Sequence, residues 1–194
     1  MEISRNHSTY LFLWLLISGI SFLFFALLGA MLYLVINSDT GNVSFPLWFL
    51  ITALFIFMMS YFIERSKVNF KLAHSGGYRK AITYCGLSIL LFLIGQIQSW
   101  MSIFGADAFI QTNNAYAFLF LLSGLHLLHV LASIPFFLQH YLQYRKYSGA
   151  EHDIQLFFSD PSKYRYLDQL GIYLHFMGIL WIVLLLAFGF LSII

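Results

Sequence analysis

Charge is what this chain has least of. Lys, Arg, Asp and Glu make up 9% of its 194 residues, where a soluble domain carries about 25%. Hydrophobic residues account for 60% and aromatic ones for 20%. No polar stretch between the apolar runs is long enough to build a soluble core, so the composition points to an integral membrane protein. Cysteine is almost missing: Cys85 stands alone. That excludes an internal disulfide and reads as a small buried side chain. Of the few prolines, Pro46 opens an apolar segment, where a missing backbone donor does no harm. Pro135 lies inside another and is expected to kink it. Phosphate-binding glycine loops are absent, since Ser75-Gly76-Gly77 lacks the accompanying pattern. Nucleophilic catalysis has no candidate constellation, no internal repeat or low-complexity tract stands out, and no nucleic-acid partner is expected.

What is present is a set of five apolar segments, at about 10–36, 46–63, 81–104, 115–140 and 168–194. At a rise of 1.5 Å per residue, each can cross a hydrocarbon core of about 30 Å. The expected fold is therefore all-α, a single five-helix transmembrane domain. The first segment is about twice the length of a signal-peptide core and no small-residue cleavage site follows it. Turn chemistry falls between segments, at Asn37–Asn42, Ser75–Gly77, Gly105–Asp107, Ser148-Gly149 and Asp160-Pro161. With five crossings, all 10 Lys and Arg residues fall on one side of the membrane. The positive-inside rule makes that side cytoplasmic, with the N-terminus inside and the C-terminus outside. Arg65, Lys67, Arg79, Lys80 and Arg145 are then expected to hold lipid headgroups. Within the long inner loop, Ile154–Phe158 reads as an interfacial turn of helix or as a docking surface for a neighbour.

Polar side chains at depth are the candidate functional residues, because each is costly in hydrocarbon. His126 and His129 lie i, i+3 on one helix face. Counted from the cytoplasmic end, His129 comes out at ~16 Å and His126 at ~21 Å, with Ser21 level with the first and Gln96 with the second. His175 lies lower, at ~10 Å. These five residues are expected to form a polar network. Small residues Ser123, Gly124, Ala132 and Ser133 flank the pair and favour close helix packing. Two rings from facing helices, His126 or His129 with His175, would also suit a bis-histidine haem. Zinc lacks accompanying cysteines and any carboxylate at that depth. Proton translocation usually needs deep acids, and Glu64 and Asp168 stand at segment ends.

Gly124-Leu125-His126-Leu127-Leu128-His129-Val130 resembles the glycine, histidine, histidine-valine signature of subunit III of haem-copper oxidases. Tyr173-Leu174-His175-Phe176, with Trp181 after it, looks like that family's final helix. Gln96 and Trp100 are similar to the end of the preceding helix. Ser18, Phe22 and Tyr33-Leu34-Val35 resemble the opening helix of the short five-helix bacterial form, and Pro46 with Thr52 is a weaker match. Three departures remove intramembrane carboxylates that the family usually carries: Gly19, Ser99 and Gly178 stand in their places. Leu174 replaces a tryptophan. Larger members have two more N-terminal helices that form a lipid-filled cleft; this chain looks like the shorter form, so such a cleft is expected to be absent or completed by another subunit.

The resemblance implies a non-catalytic accessory subunit. It would pack on catalytic subunit I of a terminal oxidase in the bacterial cytoplasmic membrane, stabilise it and support proton uptake as oxygen is reduced. It would hold no haem, copper or other metal itself; haem and copper would lie in partner subunits, and phospholipid would fill the contact. His126, His129, His175, Gln96 and Ser21 would serve structure, and Trp100 and Trp181 would join the packing. Two other classes stay open: a haem-binding, cytochrome b-like membrane anchor of a dehydrogenase or hydrogenase, and a small transporter component. The latter is expected to show broken helices or an internal repeat.

Overall fold

The computed structural model describes residues 2–37, 48–104 and 114–191. Regular structure among them is entirely helical: α1 Glu2–Ile36, α2 Trp48–Lys71, α3 Ser75–Phe104, α4 Asn114–Tyr147, α5 Glu151–Ser159 and α6 Pro161–Leu191. Five of these, all but α5, are long and apolar enough to cross a membrane. The expected start at Pro46, the loops holding Asp39 and Asp107, and the last three residues of the fifth segment lie outside the described residues.

Helices are what a bilayer demands, since each backbone donor and acceptor must be satisfied within the segment. Their packing follows from which stripes are turned inward. On α1, Ile17, Ile20, Phe24 and Met31 are buried, spaced as one helical face. Phe12, Trp14, Leu15, Phe22 and Phe25 stay exposed. Much of α1 is thus a lipid-facing wall leaning on α4 and α6. Helices α2 and α3 form a close antiparallel pair, reversed through Ala73, whose φ of 50° is left-handed. Central α6 touches α1, α2 and α4.

Gly171 and Gly178 let α6 lie close against α2. A Cβ on Gly171 would meet Lys67 Cε, with Nζ only 2.7 Å away, and one on Gly178 would sit 3.0 Å from Ile56 Cγ2. Seven residues apart, the two glycines lie on one face of α6.

The helices outrun the apolar segments at the basic end. Helix α2 continues to Lys71, α3 begins at Ser75, α4 continues through Pro135 to Tyr147, and α6 begins at Pro161. Each extension is about two turns, or ~10 Å. These polar turns hold together through rings: Phe70, Tyr78, Tyr144, Phe157 and Tyr164 form one aromatic cluster. Helix α5 closes it. Phe157 is 1% exposed, and Phe158 lies against Phe70 and Tyr78. The Ile154–Phe158 patch therefore docks largely on its own bundle, because its two phenylalanines face inward; Leu156 alone of its large apolar side chains is exposed. Asp160 then starts α6: its carboxylate accepts from the Ser162 hydroxyl at 2.6 Å and from the Ser162 amide at 2.8 Å. The Ser162 hydroxyl foremost holds that carboxyl below its usual range. Pro161 follows at the position where a missing amide costs nothing.

Candidate functional site in the bundle core and at its basic end

The paired histidines share a neighbour and then diverge. Phe24 of α1 lies against both, with ring centroids at 6.5 Å from His126 and 5.9 Å from His129. From there His126 turns into the core. Trp181 of α6 covers it at 4.9 Å and Phe92 of α3 at 5.7 Å, and the ring is fully buried. Trp181 in turn packs on Phe49 of α2 and on Phe92. Residues from every long helix thus converge around one histidine and one tryptophan.

The expected polar network is not drawn by direct bonds. Both His126 nitrogens, the Trp181 indole nitrogen and both polar atoms of Gln96 are buried without a hydrogen-bond partner. Gln96 is nevertheless near the level of His126, because Trp100 Nε1 donates to Ser123 Oγ at 3.0 Å and Phe92 meets the His126 ring. Gly124 lies beneath Trp100. Ser21 donates to the Ile17 carbonyl and Ser133 to the Val130 carbonyl, each within its own helix. Ser21 reaches neither histidine through these bonds.

His129 points the other way. Its Nδ1 lies 2.7 Å from the Leu125 carbonyl oxygen, which can only accept, so Nδ1 carries the proton. The Tyr173 hydroxyl donates to the His129 carbonyl at 3.0 Å, tying α6 to α4. The imidazole lines a cleft of about 600 Å³ between α1, α4 and α6, walled chiefly by apolar side chains. Ala132 and Ser133 line it too.

His175 joins neither ring. Its Nε2 donates to Glu64 Oε1 at 2.8 Å. The same oxygen accepts from Lys67 Nζ at 2.7 Å, and Lys67 also reaches Asp168 at 3.2 Å. Tyr10 donates to the other Asp168 oxygen at 3.1 Å. One charged cluster thus links α1, α2 and α6. Lys67 differs from the expected headgroup ligand: its side chain is 9% exposed and held between two carboxylates. Arg65, Arg79, Lys80 and Arg145 are exposed at the basic end. Glu64 and Asp168 sit inside helices, where the apolar segments placed them at ends. A second feature that sequence reasoning passed over is buried His140, whose Nε2 shares a 2.7 Å hydrogen bond with the Tyr78 hydroxyl.

A bis-histidine haem does not fit this arrangement. Three aromatic rings enclose His126, and Glu64 engages His175. Among the described residues, the cleft beside His129 has no second histidine and no Lys or Arg on its walls for haem propionates. Among the described residues no group of three His, Cys, Asp or Glu side chains is placed to hold a metal ion.

The three positions at which the resemblance leads us to expect carboxylates have different settings. Gly19 has open space where a Cβ would be. Ser99 is buried and donates to the Gly95 carbonyl. Gly178 is packed on Ile56 and Ser60.

Fold and polar residues together define a multi-pass membrane protein with an uncharged aromatic core and an ionic clasp near its basic end. No protein-family model matches the chain, and no curated protein matches it.

Proposed function

We propose that this chain is a non-catalytic accessory subunit of a respiratory haem-copper terminal oxidase, in the role of subunit III. It packs on the catalytic subunit in a bacterial cytoplasmic membrane, stabilises it and supports proton uptake during oxygen reduction. The basic end faces the cytoplasm, and phospholipid seals the contact. Supporting this reading is the signature run around His126 and His129, together with one structural observation that carries it: His126 serves as a packing centre. Its ring is closed in by Phe24, Phe92 and Trp181 from three other helices. A group so enclosed cannot reach a substrate, and among the described residues no carboxylate touches it to pass a proton.

Replacing His126 and His129 together with leucine tests the role. The altered subunit should be recovered at reduced stoichiometry with the catalytic subunit after mild detergent extraction. Haem absorbance per catalytic subunit should stay unchanged. Loss of haem absorbance with the altered subunit still fully bound would contradict the proposal.

A further inference from the structure

The cleft between α1, α4 and α6 is walled by Phe12, Leu16, Ala132, Tyr173 and Gln169, with His129 among them. Its size lies within the range of about 300–1,000 Å³ usual for small-molecule sites. Phe12 and Leu16 on its rim are exposed, so in a membrane it opens sideways into hydrocarbon. An occupant therefore arrives from the bilayer.

His129 sets the chemistry of that occupant. With the Nδ1 proton committed to Leu125, the other ring nitrogen, Nε2, is left with only a lone pair to offer. A ligand must bring a donor to it. Phospholipid acyl chains and ester groups carry no donor. Headgroup hydroxyls belong at the surface, and His129 stands 11 residues, or ~16 Å, in from His140 at the basic end of its apolar segment. A flat ring hydroxyl on an apolar tail meets both requirements. Phe12 and Tyr173 supply aromatic faces for the ring, and the Gln169 amide, one turn of α6 below Tyr173, supplies a second polar contact.

We propose that this cleft binds an isoprenoid quinol, one ring hydroxyl donating to His129 Nε2. The step is binding alone and needs no electron transfer. It holds whichever complex the chain joins, so its failure leaves the accessory role standing.

The test uses the full chain in phosphatidylglycerol nanodiscs, with decylubiquinol and decylubiquinone as probes under anaerobic conditions. Wild type should bind the quinol at one per chain. Affinity for the quinone should be about fivefold to tenfold weaker, the worth of one hydrogen bond. In His129→Phe the preference for the reduced form should disappear. Ala132→Phe, at an exposed position that leaves His129 in place, should fill the cleft and abolish binding of both probes. Equal affinity of wild type for the two redox forms would overturn the proposal. So would undiminished binding by Ala132→Phe, or retention of phosphatidylglycerol in the cleft that no quinol displaces.

Discussion

Gly178→Asp, which places a carboxylate where the resembled oxidase subunits usually carry one, should destabilise the bundle severely. Gly178 is buried at the seam where α6 meets α2. The first added atom already stands 3.0 Å from Ile56 Cγ2, and Ile56 is itself buried. Within 4 Å of that atom the polar neighbour is Ser60 Oγ, at 3.5 Å, and no cationic group is among its described neighbours. An aspartate at the centre of a membrane helix costs about 3 kcal/mol on insertion scales. Gly178→Ala separates the two contributions. Alanine should cost about 1 kcal/mol, since only a methyl has to be accommodated. Unfolding in mixed micelles titrated with a denaturing detergent measures both. Equal stability of the alanine and aspartate variants would show that this seam tolerates charge.

Lys67→Met should bring the second large loss. Methionine keeps most of the aliphatic stem and removes the ammonium that sits between Glu64 and Asp168. Two carboxylates are then left facing one another across α2 and α6. Removing one partner of a buried ion pair costs about 3–5 kcal/mol. Glu64 is 50% exposed and Asp168 27%, which allows partial relief and lowers the expectation to about 2 kcal/mol. Adding Glu64→Gln and Asp168→Asn to Lys67→Met should recover most of the loss, because the residual charges are gone. A stable single variant, or a triple variant no better than the single, would mean that the clasp does not hold α2 to α6. The same geometry explains Gly171. Any side chain there would push Lys67 out of the position from which it reaches both acids.

The fold could be read from composition because a bilayer leaves few alternatives. Long apolar runs must be helices, and their number, order and approximate bounds agree with α1, α2, α3, α4 and α6. The bounds failed only at the basic end. There hydropathy falls as polar residues enter, but the helices continue, since Phe70, Tyr78 and Tyr144 still have rings to pack against. Hydropathy marks where the apolar run ends, and a helix ends where its backbone loses partners.

The site was partly legible. Spacing put His126 and His129 on one helix face, and both do lie against Phe24, but His126 turns into the core and His129 onto the cleft; counting residues put Gln96 near the level of His126. What spacing does not encode is the rotation that sends His126 to Trp181 and His129 to the cleft. His175 illustrates the same limit. Its spacing to Trp181 fitted a family pattern, yet its partner is Glu64, whose place at a segment end disguised its role. The pair Glu64 and Lys67, one turn apart on a helix, was the available signal. It gains meaning only once Asp168 and Gly171 of α6 are brought beside it.

In the proposed role this bundle serves a catalytic partner and is not itself an electron carrier. The most direct measurement is to extract the tagged chain from its native membrane in mild detergent, identify the peptides that come with it and record the optical spectrum. A larger multi-pass haem protein should accompany it at equal stoichiometry. Stripping that partner away should leave this chain without a Soret band. A Soret band retained by the isolated chain, or purification at full yield with no haem protein attached, would contradict that role.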